Sequence, residues 1–436
     1  MKQVNVPQLP LQGPRDLELQ FPDGWDVEIC NMVGFDRAAI TNDEIRAALK
    51  KPQGTPAFGD LAKGGKEVSI IFDDYARASK WGGIATIILD ELAAAGIPDE
   101  NIRFICALGT HGVGNRTDFV RKLSEDIVSR YIVVNHNAFV NCKEVGTTKN
   151  WGTKIEANGE LMACDLKIAL EVTCPHPIAG FGGGTKAILP GVVSYQTIVD
   201  NHANSFKAAF AAMQESQAKG TPPTIGLGVY GDNHPVTDDS DEAAELVSLD
   251  FVVNTLVNSQ GEHCYVYAGH YHEVHMAAIE EAKAHYLTPF VQDADIVIAN
   301  AFYKANENAI ALFSTPNSLK HEGGDIVLIN NCPEGQVPHY YAGPWGKFSR
   351  GVGTTPTQLA PFVNHCILYN EYRFPGSFWP MAPEEKLIQM DKWADVIDQL
   401  RRWHGDQARV VVYPNATIQY IDMKEKPRHH TVIPAH

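Results

Sequence analysis

The feature that most narrows the fold of this chain is a recurring unit: a short apolar run that ends in Gly, His or Asn and gives way to a helical pattern. VSIIFDD at 68–74 precedes a helical pattern near 84–95, NIRFICALGTHG at 101–112 precedes one near 117–128, and YIVVNHN follows at 131–137. Parallel strands joined by crossover helices produce this alternation, because a strand buried on both faces is apolar throughout while its connecting helix is amphipathic. A fourth apolar run, LKIALEVTC at 166–174, leads into PHPIAGFGGGTKAILPGVVS and a helix from Tyr195 to Asn204. Ligands of such sheets collect at the carboxyl ends of the strands, and here those ends carry Asp73, Asp74, Arg77, Thr110, His111, Asn135, His136 and Asn137.

A chain of 436 residues exceeds what one core accommodates, so two domains are expected. Residues 214–242, rich in Pro, Gly and Asp, read as a long loop, and 272–288 as a helix linking the halves. A second α/β pattern runs from DADIVIANAF at 293–302 through DIVLINNC, a helix over 384–404 and the strand ARVVVYP. The expected architecture is therefore two α/β domains with mainly parallel sheets and the active site in the cleft between them. Residues 1–272 form an N-terminal domain carrying the motifs, and 273–436 form a C-terminal domain contributing to the substrate pocket.

A formal charge of −16 with no Lys/Arg run excludes nucleic acid and an anionic membrane as the main partner. No apolar stretch is long enough to span a bilayer, and the N-terminal segment shows neither a secretion nor a transit pattern, so a cytoplasmic location is expected. Eight cysteines without CxxC spacing fit reduced, buried thiols better than a zinc site or a disulfide scaffold.

The loop Gly180-Phe181-Gly182-Gly183-Gly184-Thr185-Lys186 invites a phosphate-binding reading, since clustered glycines free backbone amides to surround an anion. It fails the usual templates. A Walker A loop needs Gly where Thr185 stands and Ser or Thr where Ala187 stands, and a dinucleotide fingerprint needs Gly at 185. His176, Lys186 and His202 flank this loop, and their chemistry is complementary: imidazole ligates nickel and exchanges protons near neutral pH, and a Lys amine attacks carbonyl carbon or pairs with phosphate. Each His taken singly also fits a helix cap or a core histidine.

The run PHPIAGFGGGTKAILPGVVS followed by NHAN resembles the motif of the lactate racemase family, in which a His, a Lys ten residues on and a second His sixteen further share this frame. Asp74-Tyr75-Ala76-Arg77 resembles the family's D-x-x-R, Ala107-Leu108-Gly109-Thr110-His111 its LGTH, and Ala294-Asp295-Ile296-Val297-Ile298 the strand that opens its second domain. The resemblance covers roughly residues 60–300. It implies a racemase or epimerase that inverts C2 of a 2-hydroxy acid by reversible hydride transfer to a nickel-pincer nucleotide, through a 2-keto acid. His202 would ligate nickel. Lys186 would lie against a thioacid arm of the cofactor, with a covalent bond left open. Asp74 and Gly182, Gly183 and Gly184 would help hold the mononucleotide. His111 and His176 would be a pair of bases serving the two enantiomers, and Arg77 would steady the carboxylate or oxyanion. Cofactor-biosynthesis and nickel-insertion proteins are implied as partners.

Members specific for lactate carry a Gln and a Lys three residues later that grip the substrate carboxylate, and the matching register here places Ala311 and Ser314. A substrate other than lactate is therefore expected, with Tyr303, Lys304, Asn306 and Asn308 as the polar groups nearby and the first three as substrate contacts. His429 and His430 read as a tail, and Trp379 as packing or an active-site wall. Two other readings are a nicotinamide-dependent hydroxy-acid dehydrogenase, which leaves Lys186 and His202 unexplained, and a sugar-acid binding protein, which leaves three histidines unexplained.

Overall fold

The structure, a computed structural model of the chain, describes residues 2–63, 65–219, 221, 224–231, 234–341, 359–374 and 385–421. Trp379, His429 and His430 lie outside the described residues. The chain folds as two compact α/β units, one of residues 36–283 and the other of residues 1–35 together with 284–436.

The first strands are β1 (Lys2–Gln8), β2 (Arg15–Phe21) and β3 (Asp26–Ile29). Then comes the middle unit, with β4 (Val68–Asp73), β5 (Ile102–Ala107), β6 (Ile132–Asn135), the hairpin β7 (Cys142–Thr147) with β8 (Lys154–Asn158), and β9 (Leu166–Val172). The small hairpin β10 (Pro175–His176) with β11 (Gly180–Phe181), β12 (Phe251–Val257) and β13 (His263–Gly269) complete it. Six of these make one sheet in the order β13-β12-β9-β4-β5-β6, parallel throughout except for the edge strand β13. Ile70, Ile71, Phe72, Phe104, Ile105, Ile168, Leu170, Val252 and Val253 are fully buried, as continuous apolar runs covered on both faces require.

Residues 36–283 also correct two expectations about helices. Residues 214–242 are not one long loop: a helix runs over Lys207–Lys219 and another over Pro235–Val247. Pro235 stands at the helix start and Asp238 in its first turn, where a missing N–H and a negative charge are both favourable, so the composition that suggested a loop marks a helix N-terminus. The helix expected near 117–128 is two, Arg116–Leu123 and Glu125–Arg130, broken at Ser124, whose φ is +93°.

The other unit adds β14 (Leu287–Thr288), β15 (Ile296–Asn300), β16 (Gly324–Ile329), β17 (Val363–Tyr369), β18 (Leu387–Met390), β19 (Arg409–Tyr413) and β20 (Tyr420–Ile421). Its sheet has the order β18-β17-β16-β15-β19-β3 and is parallel throughout. The domain boundary at 272/273 changes accordingly. Residues 1–35 belong with the C-terminal unit because β3 pairs with β19, from Asp26↔Arg409 to Ile29↔Val412, and because Val4, Leu19, Phe21 and Trp25 share a core with Ile298 and Val410. The helix expected over 384–404 is strand β18 followed by a helix over Trp393–His404, since Leu387–Met390 completes the sheet edge against β17. All eight cysteines are free thiols, seven of them buried. No helix among the described residues is long and apolar enough to cross a membrane.

Candidate active site

Strands β9, β4 and β5 are neighbours and parallel, so the loops that leave their carboxyl ends lie side by side. This topology gathers Asp74 and Arg77 after β4, His111 after β5 and His176 after β9.

The Asp74-to-Arg77 loop is fixed from beneath by a buried lysine. Lys122, on the helix Arg116–Leu123, donates from Nζ to the carbonyls of Asp74 (2.7 Å) and Arg77 (2.9 Å) and to Ser79 Oγ (2.8 Å), and pairs with Asp73 at 2.8 Å. Asp73 also accepts from Ser79 Oγ and from Trp81 Nε1 at 2.5 Å. Asp74 is engaged at both oxygens. Oδ1 accepts from the Ala76 amide at 3.0 Å, and Oδ2 lies 2.7 Å from His111 Nδ1. Burial by itself would raise this carboxyl, but the charge and hydrogen bond of His111, with Arg77 and Lys122, hold it below the usual carboxylate range. An ionised Asp74 can only accept, so His111 donates from Nδ1 and the lone pair of the neutral ring sits on Nε2. The expectation that Asp74 grips the mononucleotide changes here: its oxygens are spent on turning a loop and orienting an imidazole.

The loop of His111 is pinned to the segment after Lys186. Gly109 has φ +53°, its amide donates to the Gly191 carbonyl at 2.9 Å, and a Cβ there would stand 3.0 Å from the Pro190 carbonyl. Only glycine allows both the left-handed backbone and that approach.

His176 begins the β10–β11 hairpin, and its Nδ1 accepts from the amides of Ile178 (3.2 Å) and Ala179 (3.0 Å). A nitrogen that receives two N–H groups carries no proton, so the neutral ring bears its hydrogen on Nε2. His111 and His176 are thus opposite tautomers, one with a basic Nε2 and one with an Nε2–H. The expectation of two equivalent bases is corrected by that geometry: His111 is set up to take a proton and His176 to donate a hydrogen bond.

Lys186 lies on a 3-10 turn, Gly184–Ala187, and His202 opens a π-helical turn, His202–Phe206, just after the helix Tyr195–Asn201. Single π turns inside helices recur at functional sites because they re-aim side chains. The turn places Phe206 under both residues: its ring stacks on the His202 imidazole at 4.0 Å and lies 5.6 Å from Lys186 Nζ. His202 donates from Nδ1 to the Ile198 carbonyl at 2.8 Å, and burial, with the Lys186 charge beside it, pushes its pKa down to about 4. It is therefore neutral with its lone pair on Nε2, the form that binds a metal.

The glycines between have a different task from the expected anion cradle. The Gly182 amide donates to the Cys174 carbonyl at 2.7 Å and that of Gly184 to Asn254 Oδ1 at 3.2 Å. Gly183 (φ +97°) and Gly184 (φ +63°) press against Thr173 and His275, where a Cβ would meet Oγ1 at 2.6 Å and Cγ at 2.5 Å. The loop is glycine-rich because it packs closely on its own chain.

Several functional candidates escaped the sequence reading. Glu171 is buried near the end of β9, in the field of Asp73, Arg77, Lys186 and Lys122, and so links the two halves of the motif set. Its signal was an acid inside an otherwise apolar strand. Asp241 joins Thr185 Oγ1 (2.7 Å) to His272 Nδ1 (2.6 Å), which anchors the residue next to Lys186. His234 and His275 are further buried imidazoles that feel the Lys186 charge, each pushed down to about 4 by burial.

Tyr303, Lys304 and Asn306 belong to the other unit, on the 3-10 segment Phe302–Leu312, and all three are buried. The Lys304 amide donates to Thr417 Oγ1 at 3.2 Å and the Tyr303 amide to Asn415 Oδ1 at 3.3 Å. Ala311 and Ser314 are buried as well.

A single neutral imidazole at 202, an amine beside it and an aromatic shelf under both suit a metal brought in by an organic cofactor. Among the described residues no group of three His, Cys, Asp or Glu is arranged to hold a metal, so an ion at His202 would need its remaining ligands from such a cofactor. The residues present fit a nickel-pincer nucleotide on those grounds.

Comparisons with known proteins agree with this arrangement. The family model described as lactate racemase N-terminal domain matches residues 13–214. The lactate racemase of Thermoanaerobacterium thermosaccharolyticum is 29% identical over 299 residues, 67% of this chain and 66% of that protein. That of Lactiplantibacillus plantarum is 27% identical over 299 residues, with the same coverage of 67% and 66%. The match thus spans just under two thirds of the length of these curated relatives. Among solved structures, the lactate racemase apoprotein from Thermoanaerobacterium thermosaccharolyticum superposes with a TM-score of 0.68 at 22% identity, covering 96% of this chain and all of that one. A protein from Thermotoga maritima gives 0.60 at 17% identity, covering 88% of this chain and 100% of the other. These two likenesses establish the fold. Motif order, family model and fold agree that the chain belongs to the lactate racemase family.

Proposed function

We propose that this chain is an isomerase, a racemase or epimerase that inverts C2 of a 2-hydroxy acid other than lactate. The observation that carries this reading is the opposed pair of tautomers at His111 and His176, set beside the neutral His202 and Lys186. A nickel-pincer nucleotide, when bound, supplies reversible acceptance of the C2 hydrogen as hydride, which avoids a carbanion beside a carboxylate.

His202 would ligate the nickel through Nε2 and Lys186 would lie against the thioacid arm, with covalent attachment an open part of the proposal. Arg77 holds the substrate carboxylate with its planar fork. His111 Nε2 takes the hydroxyl proton as the hydrogen leaves C2, and Asp74 stabilises the imidazolium that results. His176 Nε2–H donates to the C2 oxygen and so favours the carbonyl of the 2-keto acid. That planar species can turn while its oxygen stays between the two imidazoles. The hydrogen returns to the opposite face, His111 returns its proton, and atoms balance with no net oxidation.

The preference against lactate rests on Ala311 and Ser314, neither of which can grip a carboxylate as a Gln and Lys pair does. Tyr303, Lys304 and Asn306 are proposed as the substrate groups that replace them. Loading is proposed to depend on cofactor-synthesis and nickel-insertion proteins.

The test is a native mass spectrum of protein co-produced with such proteins, read for nickel and for a mononucleotide adduct near Lys186. It is followed by chiral analysis of a panel of 2-hydroxy acids. Nickel, an adduct and inversion of an acid larger than lactate are expected. Net reduction of a nicotinamide coenzyme without nickel would replace this reading with a dehydrogenase, and lactate as the best substrate would overturn the specificity.

A further inference from the structure

Strand β9 is buried along all seven residues, and one of them is an acid with no partner to match it. The backbone of Glu171 is satisfied, with Thr255 Oγ1 donating to its carbonyl at 3.5 Å. Its carboxyl is different. Among the described residues the side chain makes no hydrogen bond and no ion pair within the chain, although Glu171 is only 8% exposed. Leaving such a group unmatched on folding costs about 1–3 kcal/mol, so its partner is to be sought in what fills the site.

The surroundings say what that partner is. Asp73 faces Glu171 from the end of β4, Arg77 from the loop that follows, Lys186 from the 3-10 turn and Lys122 from the helix Arg116–Leu123. Lys122 and Asp73 are bound to each other at 2.8 Å, which leaves Arg77 and Lys186 as the cations that draw an anionic ligand toward the Glu171 side chain.

We propose that Glu171 enters the site as a neutral carboxylic acid and donates a hydrogen bond to the carboxylate of the 2-hydroxy acid held by Arg77, which makes it a specificity-determining contact. This rests on the racemase reading above. An O–H donor facing a carboxylate forms one of the short, strong hydrogen bonds available to proteins. Burial first, and then the charge of Asp73, push Glu171 up to about 8 against the pull of Arg77, Lys186 and Lys122, which agrees with the geometry. Once ionised, the same group opposes the substrate carboxylate. Affinity for the acid is therefore constant while Glu171 is protonated and falls about tenfold per pH unit above its titration.

Two measurements test this. In the protein as purified, a pH-resolved infrared difference spectrum of wild type against Glu171→Gln should show the carbonyl band of one protonated buried acid at neutral pH. In the holoprotein, equilibrium dialysis with glycolate, a 2-hydroxy acid with no stereocentre, should give an affinity that falls above about pH 8 in wild type. That fall should be absent in Glu171→Gln, which keeps a donor but cannot ionise. Glu171→Leu should bind glycolate roughly tenfold more weakly or worse at neutral pH. Should the Leu variant fail to fold, the Gln pH profile decides alone. Absence of the band at neutral pH, or a Gln variant with the wild-type pH profile, overturns the role of Glu171 even if racemisation is found. A band together with altered glycolate binding, in a protein that racemises nothing, leaves Glu171 standing and removes the racemase reading.

Discussion

At the scale of residues, the site works by fixing protons before substrate arrives. His202 is neutral because burial makes its charged form costly, and its Nδ1 hydrogen is committed to Ile198, so only Nε2 can ligate. His202→Ala should lose nickel, read by elemental analysis of the purified protein, while circular dichroism stays that of wild type. Retained nickel would mean another ligand. Asp74 fixes His111 in the same sense, and Asp74→Asn removes both the charge that stabilises an imidazolium and the fixed tautomer, so kcat should fall on the order of 10²–10⁴-fold with KM little changed. A change under threefold would remove His111 as the base. Glu171 predicts a stability effect of definite sign. Its proton is lost in the unfolded chain near the model value of 4.5 but held in the folded one to about 8, so wild type loses stability as pH rises between those values. Glu171→Gln should match wild type near pH 4 and exceed it by about 2–5 kcal/mol at pH 8 in urea melts; equal stability at both would mean Glu171 ionises normally.

At the scale of elements, His111, His176, Lys186 and His202 were legible because their spacing follows a family frame, and strands β4, β5 and β9 because a doubly covered strand must be apolar. What spacing could not show was direction. The two amides on His176 Nδ1 come from the hairpin Pro175–His176 with Gly180–Phe181, and a hydrogen-bond direction leaves no trace in composition. Lys122 was equally hidden, since a lysine in an amphipathic helix reads as solvated until the helix is seen to bury it beneath Asp73, Asp74 and Arg77. Lys122→Met should strand Asp73 as a buried charge and cost about 3–5 kcal/mol in chemical denaturation. Joining it to Asp73→Asn should recover part of that loss, and additive losses would show that the pair does not couple.

At the scale of the whole molecule, two α/β units were readable from length and alternation, but the crossing of the N-terminus into the C-terminal unit was not. Strand pairing between residues almost 400 positions apart, Asp26 with Arg409, has no local pattern to announce it. The hairpin of β1 and β2 reinforces the crossing, because Val4, Leu19, Phe21 and Trp25 fill the core of a unit whose other residues lie beyond 284. Folding of that unit therefore needs both ends of the chain, whereas residues 36–283 have a continuous sequence and their own sheet. Deleting residues 2–29 should raise amide hydrogen exchange in β15, β16 and β19 by orders of magnitude while β4, β5 and β9 keep wild-type protection. Loss of protection in β4, β5 and β9 to the same extent would show that the chain unfolds as one cooperative body. The motif loops belong to the uninterrupted unit, so the same deletion should leave the Asp74–His111 contact in place, seen as an unchanged low-field imidazole N–H resonance of His111.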